Sequence, residues 1–173
     1  MAAPDILLHC AGIMSGGERA VIDESIMATN LLRHVPASVR RLVLVSTAYV
    51  YAPAAVNVCE ETFPQPASVY GHTKLMIEGL FTAFAKATHR DLIILRPCAI
   101  YGPGDPHGKA ITMFVANARD GKPPSLKGPT TFPRDYIHVE DAARSVIAAI
   151  DLPFTSSVGE HREGQSAALR IFN

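Results

Sequence analysis

Three observations predict an α/β fold with a parallel sheet and crossover helices. Three apolar runs of five residues, ILLHC at 6–10, LVLVS at 42–46 and LIILR at 92–96, have the length of strands buried on both faces. Segments with helical periodicity separate them, giving the order strand, helix, strand, helix, strand. Nearly half of the 173 residues are apolar and 18% are charged, the profile of a chain that folds around a core.

After the 6–10 strand, the stretch at 19–34 carries Ile22, Ile26 and Leu31 with polar residues between them and stops before Pro36. The 42–46 strand follows, and then a second helix over 69–88 with an apolar face of Leu75, Leu80, Phe81, Phe84 and Ala85. Beyond the 92–96 strand and Pro97 the texture changes. YGPGDPHG at 101–108 and DGKPPSLKGPTTFPRD at 120–135 are rich in proline and glycine, which predicts loops rather than sheet. Two further helices are expected, one over 109–119 and one over 140–151, the latter opening on Glu140 and Asp141 at its positive end. ALRIFN at the end of the sequence reads as the start of a strand. There is no internal repeat and no low-complexity tract.

A chain of this length forms one domain and buries roughly two-thirds of its surface. Acidic and basic residues balance at 16 each, so no basic face points to nucleic acid, and the expected ligand is small. Cys10, Cys59 and Cys98 are far apart and odd in number, which fits neither a disulfide framework nor a zinc site. The seven histidines have no repeated close spacing and read as surface or core residues rather than metal ligands. The N-terminus lacks the basic flank and apolar length of a signal peptide, and no run reaches membrane-spanning length. These features predict a cytoplasmic protein.

Tyr70 and Lys74 in YGHTK lie four apart, on one face of the expected helix, where both reach the same bound molecule. A phenol with an ordinary pKa of about 10 is a poor proton shuttle at neutrality, and a neighbouring ammonium favours the phenolate. Five tyrosines and five lysines place such a pair in roughly one chain in seven by chance, so the pair alone decides little. Ser46 and Thr47 add context. They end a buried strand, and ligands of open parallel sheets bind beyond such carboxyl ends. Taken alone, that pair is an ordinary turn or helix cap.

HCAG (9–12), LVLVSTAYVYA (42–52), EE (60–61), PASVYGHTKLMIEGL (66–80), LRPCAIYGPGDP (95–106) and RDYIHVEDAA (134–143) together resemble the extended short-chain dehydrogenase/reductase family. Within it, the sequence is most similar to NAD-dependent sugar-nucleotide epimerases and dehydratases. The resemblance implies a partial Rossmann-like, doubly wound parallel sheet with part of a smaller substrate-binding region. The Rossmann portion is expected over about 1–100 and 136–151, and the substrate side over about 101–135 and 152–173. By the same resemblance, Thr47, Tyr70 and Lys74 are catalytic. Thr47 polarises the substrate oxygen, Tyr70 is the acid/base, and Lys74 holds the nicotinamide ribose and lowers the tyrosine pKa. Ala11, Gly12, Ser46 and Pro97 join Tyr70 and Lys74 at the cofactor, and Arg134 contacts a substrate diphosphate, a role that its bidentate fork suits. The implied cofactor is NAD, with NADP left open. A nucleotide sugar is the implied substrate, and a homodimer pairing the helices at 19–34 and 69–88 the implied assembly. Hydride transfer from a sugar carbon would give a keto-sugar, which leads to epimerisation, dehydration or net oxidation.

The resemblance has departures. The family opens with a glycine-rich phosphate loop and a cofactor-selecting residue; this sequence starts at what corresponds to the fourth strand, on the order of 60 residues later. GPGDPHG at 102–108 is no substitute, because Pro103 and Pro106 lack N–H donors. Both ends are therefore expected to be truncated. Glu24 stands roughly where the family commonly has asparagine, Ala52 where it has glycine, and Ala99 where galactose epimerases carry an asparagine. Two other readings stay open: a dehydrogenase or reductase of the hydroxysteroid branch, and a non-catalytic remnant serving as a binding module.

Overall fold

The computed structural model describes residues 3–14, 16–53, 57–105, 110–124, 134–154 and 168–173. In chain order its elements are β1 (Ile6–His9), α1 (Gly17–Arg33), β2 (Arg41–Val45), a 3-10 turn (Ala48–Val50), α2 (Val69–Ala87) and β3 (Asp91–Leu95). They continue with β4 (Ala99–Tyr101), α3 (Ala110–Arg119), β5 (Tyr136–His138), α4 (Val139–Asp151) and β6 (Leu169–Phe172). Among the described residues β1, β2, β3 and β6 form a parallel sheet in that spatial order, and β4 and β5 form a separate parallel pair.

Alternation along the central strands divides the core into two layers. Leu42, Leu44, Leu92 and Ile94 face α1 and α2, where they pack with Ala28, Leu32, Ile77 and Phe81. Val43, Ile93 and Leu95 face the other way, toward Ala149 of α4. With helices on both faces, β2 and β3 are buried almost throughout, which is why they read as unbroken apolar runs. The fold is the Rossmann-like α/β sheet that the sequence predicts.

The structure corrects several expectations. In α1 the buried stripe is Ala20, Glu24, Ala28 and Leu32, while Ile22 and Ile26, which marked the helix by their spacing, are about half exposed at 50% and 53%. Two alanines in the stripe let α1 approach its neighbours closely, and the helix turns its larger residues outward. The region past Pro97 contains sheet as well as loop, because β4 and β5 pair there. Each is three residues long, too short for a period-2 signal, and Tyr101 packs edge-on to Tyr136 and His138 across the pair. The final strand forms, but it lies beside β3 in the main sheet, so Leu169–Phe172 are part of that sheet rather than the substrate side. Of the proline- and glycine-rich segments, 106–108 and 125–133 fall outside the described residues. Among the described residues no helix is long and apolar enough to cross a membrane.

Buried charge locks the amino-terminal ends of the strands. Arg41 is fully enclosed, and it donates to the carbonyls of Ile150, Leu152 and Pro153 and to Asp91 Oδ2 at 3.4 Å. One guanidinium thus ties β2 to β3 and receives the unsatisfied carbonyls at the end of α4. Removing such a partner strands polar groups in the core, so Arg41→Met is expected to cost about 3 kcal/mol, read as a lower midpoint in urea unfolding.

At the opposite end His9 is buried and stacks on Phe81, with ring centroids 5.4 Å apart. Burial first, and then the Lys74 ammonium, hold its imidazole below the ordinary 6.5, with Glu24 pulling the other way. The unfolded chain therefore takes up the proton more readily than the folded one. Stability is present above about pH 6.5 and declines as pH falls through the lowered folded value. The melting temperature is expected to drop between about pH 7 and pH 5, and the drop to be smaller in His9→Gln, as thermal scans across that range would measure.

Candidate active site

The carboxyl ends of β1, β2 and β3 open onto one cavity of about 530 Å³. Its walls include Cys10 and Gly12 after β1, Ser46 and Thr47 after β2, and Pro97 and Cys98 after β3. Tyr70 and Lys74 reach it from α2, and Arg134 and Tyr136 close it from the β5 side. Ala11 joins through its carbonyl, which accepts from Lys74 Nζ at 3.4 Å. All eight residues singled out in the sequence therefore converge on one place, although they span 11 to 134.

Local structure explains how each is aimed. Ser46 N donates to Leu95 O at 2.7 Å, which extends the β2–β3 ladder one step past the strand. Thr47 is buried, and its hydroxyl accepts from Tyr49 N at 3.2 Å, capping the 3-10 turn. Ser68 caps α2 by accepting from Gly71 N at 3.0 Å, so Tyr70 lies in the first turn and Lys74 one turn later on the same face. Gly71 is the residue that lets this helix end approach: a Cβ there would run into the Tyr49 carbonyl and crowd Pro66.

Tyr70 and Thr47 both line the cavity. Burial raises the Tyr70 pKa above the ordinary 10; the Thr47 hydroxyl works against this, and the Glu24 carboxylate and Tyr49 add to it. The lowering expected from Lys74 is not the net result: burial dominates at the phenol, and Lys74 Nζ lies 2.8 Å from Glu24 Oε1 as a buried ion pair. Burial also pushes the Cys10 and Cys98 thiols up, with Lys74 opposing it at Cys10 and Asp135 reinforcing it at Cys98. Both thiols therefore stay protonated at neutral pH.

Sequence reading noted Glu24 only as a departure and gave His9 and Tyr49 no role in the site. A signal for Glu24 was present: it lies four residues from both Ala20 and Ala28, an acid in the middle of what proves to be a buried stripe.

Behind the site, Arg96 makes a bidentate pair with Glu78, at 3.0 and 2.6 Å, and donates to Tyr51 Oη at 2.6 Å. Tyr51 bonds Asn173 Oδ1, and the Asn173 N–H donates to Glu60. This chain of contacts fixes α2, the loop after β2 and the end of β6 to one another.

Comparison with known proteins places this geometry. A match to the NAD dependent epimerase/dehydratase family covers residues 1–162. The chain is 32% identical to UDP-glucose 4-epimerase 4 of Oryza sativa subsp. japonica over 90% of its own length and 49% of that protein's. It is 30% identical to UDP-glucuronate 4-epimerase of Thermodesulfobacterium geofontis over 75% of its length and 41% of that protein's. The crystal structure of UDP-glucuronic acid 4-epimerase from Bacillus cereus, in complex with UDP-glucuronic acid and NAD, superposes with a TM-score of 0.75 at 25% identity. That superposition covers 97% of this chain and 62% of the other. The chain spans about half the length of the curated relatives it matches. With the family match running over nearly the whole chain and the same fold at its core, the protein belongs to the NAD dependent epimerase/dehydratase family.

Proposed function

We propose that this chain carries the acid–base half of an oxidoreductase site that epimerises or dehydrates a nucleotide sugar with NAD. The observation that carries the reading is the meeting of Thr47, Tyr70 and Lys74 at one cavity beyond the carboxyl ends of the strands, with Arg134 on its far wall. The relatives named above act on UDP-sugars by their names, and the solved Bacillus cereus enzyme binds NAD alongside one.

Two features of the cavity fit a nicotinamide nucleoside. Ser46 Oγ is buried and has no hydrogen-bond partner among the described residues, so a polar ligand group would satisfy it. Gly12 leaves a gap that even one methyl would fill, since a Cβ there would lie 2.5 Å from Lys74 Nζ. Ala11, Gly12, Ser46, Tyr70, Lys74 and Pro97 would hold the cofactor, and the chemistry it supplies when bound is hydride acceptance and return. The rest of the mechanism belongs to the protein. Tyr70 exchanges the proton of the reacting hydroxyl, and Thr47 donates to the same oxygen and steadies the phenol. Lys74 binds a ribose diol, and Arg134 forks onto the diphosphate.

Full-chain protein supplied with NAD is expected to convert UDP-glucose or UDP-glucuronate, followed by chromatography of the nucleotide sugars. Tyr70→Phe should reduce that rate by about 100-fold or more, the usual contribution of a general acid–base group. Oxidation of sterols but not of UDP-sugars would favour the hydroxysteroid branch instead, and turnover of neither would overturn the proposal for this chain.

A further inference from the structure

Lys74 meets a carboxylate that proton transfer does not require. Glu24 is wholly enclosed, and Lys74 is 3% exposed, so both charges have left water together. Apart from the 2.8 Å ion pair, neither Glu24 oxygen has a hydrogen-bond donor among the described residues. The ammonium lies against Gly12 and reaches the Ala11 carbonyl. The other groups facing this trio are His9 and Cys10 from β1 and its end, Thr47 and Tyr49 from the turn after β2, and Arg134 across the cavity. A buried pair this close acts on its surroundings as a dipole rather than as a cation.

We propose that Glu24 is a positioning residue of the acid–base site: it holds Lys74 against Gly12 and cancels its charge, so that Tyr70 faces a neutral pair rather than a lone ammonium. Glu24 acts on the phenol through Lys74 and through its own field, without touching it. An acid on the buried stripe of α1 thereby shifts the balance between phenol and phenolate at the helix-borne Tyr-Lys pair. Loss of the carboxylate would leave an uncompensated cation beside Tyr70 and favour the ionised phenol. The inference rests on Tyr70 being the acid/base, but its test reads the phenol with neither cofactor nor substrate present.

That test is an NMR titration of the full chain labelled at the tyrosine ring carbon bearing the hydroxyl, with Tyr70→Phe identifying the Tyr70 signal. In Glu24→Gln the Tyr70 midpoint is expected to fall by about 0.5 pH unit or more, roughly a threefold rise in phenolate at a given pH. Glu24→Asp, which keeps the charge, is expected to restore it to within about 0.2 unit. A folded Glu24→Gln protein whose midpoint stays put or rises overturns the inference. Should that variant not fold, Glu24→Gln/Lys74→Met removes both charges and strands neither. Its midpoint is expected within about 0.3 unit of wild type, and a displacement of a unit or more overturns the inference. Absence of turnover bears on the proposed function, whereas an unmoved midpoint bears on Glu24 alone.

Discussion

Because β1, β2 and β3 run parallel, their carboxyl ends share one edge of the sheet, and three successive chain segments must leave it side by side. Everything in the candidate site follows from that constraint. The registers His9 with Leu44 and Val45 with Leu95 put Cys10, Ser46 and Pro97 within reach of one cavity, although more than 80 residues separate the first from the last. Burial of both sheet faces then makes the register costly to change, since a one-residue slip would exchange the layer facing α1 and α2 with the layer facing α4.

Among the described residues three enclosed ion pairs stand around this core, and they serve different ends. Arg41 with Asp91 belongs to the amino-terminal edge, where its further bonds go to backbone carbonyls past α4. Arg96 with Glu78 sits behind the cavity, well supplied with hydrogen bonds, and secures α2 to β3 and to the end of β6. Lys74 with Glu24 is the exception. Among the described residues its carboxylate has no other hydrogen-bond donor, which is a poor arrangement for stability and a useful one for setting the charge inside a cavity. The Arg96–Glu78 pair backs the site, the Arg41–Asp91 pair holds the opposite edge of the sheet, and the sparsely bonded pair lies inside the site.

Tyr70 shows how location and protonation are decided separately. Its place follows from a capped helix start and from Gly71 fitting under the Tyr49 carbonyl. Its protonation follows first from burial, which Thr47 opposes and to which the Glu24 carboxylate and Tyr49 add. A Tyr-x-x-x-Lys spacing specifies the first and leaves the second undetermined.

Much was legible in the sequence because it depends on local pattern. Apolar runs of strand length read correctly as buried parallel strands, since a strand covered on both faces has no polar alternation to show. The ordered blocks from HCAG to RDYIH identified the family and the residues that meet at the cavity, because each lies where a strand or helix ends and such ends have marked chemistry. What only the tertiary structure decided depends on neighbours distant in sequence. Which face of α1 is buried was settled by packing against α2 and the sheet, which leaves Ile22 and Ile26 half exposed and Glu24 enclosed. The three-residue strands β4 and β5 exist only as each other's partners, 37 positions apart in register from Ala99 to Tyr136. The partner of Lys74 was likewise undecidable from spacing, because it is a carboxylate 50 residues earlier that the fold carries to 2.8 Å.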